Sequence, residues 1–138
     1  MPTETKTIDD LTPSDLANFY GSQRYFRFMS LILTDGAKFV ADCGCHWLLV
    51  AIASHQNKTL QKKADGLQVW KLKQLKDDPK HMAVLVCEDG NYKKMVEQKI
   101  EYTDFPFARF NGEFALWVEE GSLDGETTAQ ICLLPSEH

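Results

Sequence analysis

The sequence predicts an α+β fold, with N-terminal helices packed on one face of a mainly antiparallel β-meander of about five strands. Three observations carry that expectation. The longest apolar run, Trp47 to Ala53, lies in a helix-like segment of the first half. After Gly66 the hydrophobic period becomes alternating, Val69, Lys71 and Lys73 interleaving with Trp70 and Leu72. The second half is punctuated by Asp77-Asp78-Pro79, Glu88-Asp89-Gly90-Asn91 and Asn111-Gly112, the turn chemistry of successive hairpins.

The elements follow in chain order. Residues 1–11 are polar and are expected to be flexible. Thr12-Pro13-Ser14-Asp15 starts a short helix, with Thr12 as cap, Pro13 at the first helical position and Asp15 facing the dipole. Arg24 to Leu33 reads as one strand-like stretch, aromatic at its start. Asp35 offers a cap for the main helical region, Ala37 to about Asn57, which Gly44 interrupts. The run from Trp47 is apolar all round, so Trp47 is expected at the centre of the core. Residues 57–66 read as a polar connector between a helical and a sheet half of one domain, 1–138. Strands then follow near Val69–Lys73, Met82–Cys87, Val96–Tyr102, Phe114–Val118 and Ile131–Leu134.

Length, composition and charge exclude several classes. A chain of 138 residues buries enough surface for one core without staples, and 43% hydrophobic residues argue against disorder. The Trp47–Ala53 run is too short to span a bilayer, and Met1-Pro2-Thr3-Glu4-Thr5 lacks the form of a signal peptide. A cytoplasmic location without membrane association is therefore expected, with the four cysteines reduced. The net charge of −5 arises wholly after residue 105, where six acids face one arginine. Nucleic-acid binding is not expected, because displacing phosphate counterions needs basic surface.

Asp42-Cys43-Gly44-Cys45-His46 is the densest cluster of reactive side chains. Cys43, Cys45 and His46 are metal-ligand types, but one intervening residue and no second pair is not zinc-knuckle spacing. No metal and no cofactor are expected. A Cys43–His46 nucleophilic pair oriented by Asp42 would sit on a single turn weakened by Gly44, a poor frame for catalysis. No phosphate-binding glycine loop is present. Glu119, Glu120, Asp124 and Glu126 flank glycines in a loop and read as solubilising. In Arg24-Tyr25-Phe26-Arg27-Phe28, strand alternation puts Arg24 on the Phe26/Phe28 face and Tyr25 with Arg27 on the other. Arg24, Tyr25 and Arg27 are the candidate binding residues, of the type found at interface hot spots.

Gly21-Ser22-Gln23, Leu33-Thr34-Asp35-Gly36-Ala37-Lys38-Phe39 and His46 to Ala53 together resemble a family of small bacterial proteins classed as a domain of unknown function. The likeness continues through Cys87-Glu88-Asp89-Gly90-Asn91, Ile100 to Pro106 and Leu133-Leu134-Pro135-Ser136-Glu137, covering about Leu16 to His138. The resemblance implies the fold, no catalytic residues, and an aromatic side chain in most members where His46 and His138 stand. It also implies an accessory role in bacteria or their mobile elements. The functional expectation is a noncatalytic interaction module, a homo-oligomer or a binder of another protein. The alternatives are a small hydrolase using the Cys43/His46 region or acids such as Asp35 and Asp104, and an acidic inhibitor that mimics nucleic acid.

Overall fold

The computed structural model of the chain describes residues 7–122 and 124–138. Its first element is a 3-10 turn, Ile8–Asp10, capped by Thr7 and followed by α1 (Pro13–Leu16), capped by Thr12 with Pro13 leading. A hairpin of β1 (Phe26–Phe28) and β2 (Leu31–Leu33) comes next. Then α2 (Asp35–Val40), a π-helical turn (Ala41–Cys45) and α3 (His46–Ser54) run on as one kinked helix. After α4 (Lys58–Ala64) come β3 (Leu67–Gln74), β4 (Ala83–Glu88), β5 (Lys94–Ile100), β6 (Glu113–Gly121) and β7 (Ala129–Leu133).

Among the described residues, seven strands form a single mixed sheet in the order β1-β2-β7-β6-β3-β4-β5. The expected five-strand meander falls short at one end. Arg24–Leu33 is not one strand, because Met29 takes a left-handed φ of 50° and folds β1 back on β2. β2 then pairs parallel with β7, Ile32 beside Ile131 and Leu33 beside Cys132, so the N-terminal hairpin joins the C-terminal strand. The remaining pairings are antiparallel.

Strand alternation puts Trp70, Leu72, Leu85, Cys87, Leu116 and Val118 on one face, all buried. Leu48 and Ile52 of α3 pack over Trp70, Leu72, Leu85, Phe114 and Leu116 with no room for a water molecule between them. Trp47 does not occupy that centre: it is only partly buried, and Trp70 is the tryptophan of the core, 1% exposed. The buried stripe of α3 is Leu48, Leu49, Ile52 and Ala53, which leaves Trp47 and Val50 on its rim. Asp35–Ser54 is long and apolar enough to cross a membrane by length and composition, but 56% of its apolar window is buried inside the protein.

Two segments expected to be loose are structured. Leu11 is fully buried, and the Arg109 guanidinium donates to the carbonyls of Ile8 and Leu11 at 3.1 and 3.0 Å, pinning residues 7–11. Residues 1–6 of that expectation lie outside the described residues. The 57–66 connector contains α4, capped by the Asn57 side chain and held by Leu60 and Ala64, an i,i+4 pair that is 5% exposed at each position. Asp65 and Gly66 end it in left-handed conformations. Between β3 and β4, Asp78 accepts from the backbone N–H groups of Lys80 and His81 and pairs with Lys99. These donors, Lys80 N–H foremost, hold its carboxyl down at about 2.

Candidate functional site

Three segments far apart in sequence meet at the start of α2. Thr34, not Asp35, caps the helix, accepting from Ala37 N–H at 3.3 Å. Asp35, the first helical residue, accepts from Gln23 N–H at 3.1 Å, while its own N–H donates to the Ser22 hydroxyl at 2.9 Å. The Ser22 hydroxyl in turn donates to Arg24 O at 2.6 Å. From the C-terminal end, the Glu137 carboxylate accepts from the Thr34 hydroxyl at 2.6 Å, Gly36 N–H at 3.1 Å and Leu134 N–H at 2.9 Å. Ser136 donates to Phe19 O at 2.6 Å. Gly21–Gln23, Leu33–Phe39 and Leu133–Glu137 thus form one bonded unit.

This unit frames a cleft of about 490 Å³ lined by Phe19, Arg24, Phe26, Asp35, Lys38, Phe39 and Asp42. Its wall is aromatic, with Phe19 and Phe39 at 5.3 Å between centroids. Both cations sit by the Phe26 ring, Arg24 at 5.8 Å and the Lys38 ammonium at 5.4 Å. Lys38 is committed to Asp42 one helical turn on, 2.7 Å from each carboxylate oxygen. Arg24 is not so fixed: its Nε lies 3.7 Å from Asp35 Oδ1, beyond hydrogen-bond length, and its side chain is 79% exposed. Asp35 Oδ1 is buried without a hydrogen bond.

The structure separates the sequence candidates. Arg24 lines this cleft, Tyr25 is 46% exposed and does not line it, and Arg27 lines another concavity with Met29, Gln61 and Thr127. Strand alternation makes that division legible in advance. Phe19, Phe39, Lys38 and Asp42 were not foreseen, although the i,i+4 spacing of Lys38 and Asp42 on a helix is a readable signal.

The Asp42-Cys43-Gly44-Cys45-His46 cluster points apart. Gly44 at φ 95° breaks the regular helix. Cys43 and Cys45 are fully buried, while His46 is exposed and packs edge-on against Phe28 at 5.1 Å. Burial, helped by Asp104 and Cys43, pushes the Cys45 thiol up to about 12. Burial likewise carries Cys87 to about 12 and raises Cys132. Among the described residues, no three His, Cys, Asp or Glu side chains are grouped to hold a metal ion. Of the loop acids, Asp124 caps its own turn, accepting from Ser122, Glu126 and Thr127, which lowers its pKa.

A reactivity test follows from these thiols. A neutral disulfide reagent at pH 8 is expected to label native protein only as fast as it unfolds, and four thiols rapidly in denaturant. Because these pKa values are raised in the folded state, the thiols' contribution to stability is fully present below about pH 9. That contribution is lost as pH rises from 9 toward 12, where the unfolded thiols ionise first. Rapid native labelling at neutral pH would contradict this burial.

Residues 10–138 match the family of unknown function DUF6876. The chain belongs to that family. The match spans α1 to the C-terminus and so takes in every residue of the cleft. No curated protein and no solved structure matches the chain.

Proposed function

We propose that this member of the family is a noncatalytic protein-binding module whose contact site is the cleft before α2. The observation that carries the reading is Arg24. It is a largely exposed guanidinium beside Phe26, and it faces a carboxylate that is itself held by the backbone of Gln23. Arginine over an aromatic floor is hot-spot chemistry, and the guanidinium fork suits a carboxylate on the partner. Phe19 and Phe39 supply the apolar wall beside it, and a cleft of this volume suits an anchoring side chain. The partner is therefore a protein that presents an acidic residue next to an apolar one.

The test uses a photocrosslinking phenylalanine derivative in place of Phe39, which lines the cleft, in extract of the source cell. A discrete protein adduct is expected. It should disappear with Arg24→Glu and persist with Lys62→Glu, a change on α4. An adduct insensitive to Arg24→Glu, or none at all, would overturn the reading.

A further inference from the structure

β5 is the outermost strand on its side of the sheet, and among the described strands it pairs only with β4. The Leu75 N–H donates to Met82 O across the β3–β4 ladder. Antiparallel alternation, carried through the β3–β4 and β4–β5 registers, turns the amides of Val96, Gln98 and Ile100 toward β4. The amides of Glu97 and Lys99 then face outward. Natural sheets commonly blunt such an edge with proline, a bulge or repelling charge. Here the register shift lies at Cys87/Glu88, so Val96–Ile100 is left regular. That stretch holds no proline.

We infer that this edge pairs antiparallel with the same edge of a second copy, about a two-fold axis at Gln98. A two-fold normal to the sheet sets residues of one face opposite residues of the same face, so only a few registers are open. An axis at Glu97 stacks that carboxylate on itself, an axis at Lys99 stacks the ammonium on itself, and an axis at Val96 opposes Lys93 to Lys99. With the axis at Gln98, Glu97 lies opposite the second copy's Lys99 and Lys99 opposite its Glu97. On the other face Val96 lies opposite Ile100 twice over, an apolar pair of half-buried side chains. The outward amides of Glu97 and Lys99 are then the ones that meet, so each Glu97–Lys99 pair exchanges both main-chain bonds. The sheet becomes continuous through both copies, with β5 no longer an edge. A single strand pair is a small interface, so the dimer is weak and concentration-dependent.

The experiment is sedimentation velocity of the full chain from about 10 to 500 μM, a span that resolves micromolar dissociation constants. The wild type is expected to shift from monomer to dimer. Glu97→Lys opposes lysine to lysine and Lys99→Glu opposes glutamate to glutamate, so each alone should weaken self-association by about tenfold or more. An equimolar mixture of the two restores both opposite-charge pairs and should dimerise again, which a fold defect cannot mimic. Lys99→Glu also breaks the pair with Asp78, so circular dichroism checks its fold; should it not fold, the Glu97→Lys arm decides alone. Arg24→Glu should leave the dimer intact, which separates this surface from the cleft. A monomeric wild type across the range, unweakened association of Glu97→Lys, or no association in a mixture of folded variants would overturn the inference.

Discussion

Trp70→Ala is expected to lower the unfolding free energy by about 3–5 kcal/mol, the cost of emptying a closely packed aromatic site. Trp70 is 1% exposed, and its ring stacks on His55 at 5.7 Å. Its indole N–H donates to Gln68 Oε1 at 2.8 Å, and Gln68 is itself 1% exposed. Gln68 exchanges amide hydrogen bonds with Gln56 at 2.8 and 2.9 Å, tying the end of α3 to β3. The substitution therefore leaves a cavity and also withdraws one donor from a buried amide, and a buried polar group stripped of a partner adds to the loss. Trp70→Phe separates the two contributions, since it keeps most of the ring volume and removes only the donor. Trp47→Ala is the control: its partly buried side chain should cost less than half as much. Urea denaturation with unchanged m-values is the measurement. A Trp70→Ala loss below about 1 kcal/mol, or a larger loss from Trp47→Ala, would mean that the core is centred elsewhere.

That contrast shows where the sequence was legible and where it was not. Class and strand positions after Gly66 follow from alternation and turn residues, and β3, β4, β5, β6 and β7 fall where those signals put them. Trp47 misled because an apolar run gives composition without saying which side has a neighbour, and α3 packs with Leu48, Leu49 and Ile52 inward. The β1–β2 turn is invisible for a different reason. Met29-Ser30 carries none of the glycine, asparagine or proline that marks a hairpin, and the left-handed φ falls on methionine. α4 was hidden by polarity, since only Leu60 and Ala64 need to be apolar to seat a helix of seven residues. At the cleft each contributing segment was recognisable, but their convergence was not. Thr34 and Glu137 are 103 positions apart, and the parallel β2–β7 pairing that brings them together is non-local.

Gly36→Ala is expected to destabilise the protein by about 1–3 kcal/mol, although helix propensity alone argues the opposite sign. Alanine in a helix is favoured over glycine by up to about 1 kcal/mol, and Gly36 sits in the first turn of α2. Space decides against it. A Cβ built at Gly36 comes within 3 Å of both Glu137 Oε1 and Leu134 Cδ1. Neither atom can step aside cheaply: the carboxylate is held by Thr34, Gly36 and Leu134, and Leu134 is 2% exposed. Overpacking a site of this kind typically costs about 1–3 kcal/mol, more than the propensity gain. Glu137→Ala removes the same carboxylate from the other side and should cost about 1–2 kcal/mol through its lost hydrogen bonds. Because both variants expel one group from one place, their effects should not add. In the Glu137→Ala background the alanine at 36 meets only Leu134, so its cost should shrink. Four urea curves complete the cycle. Additive losses, or a stabilised Gly36→Ala, would show that the Glu137 carboxylate does not hold the start of α2 in solution.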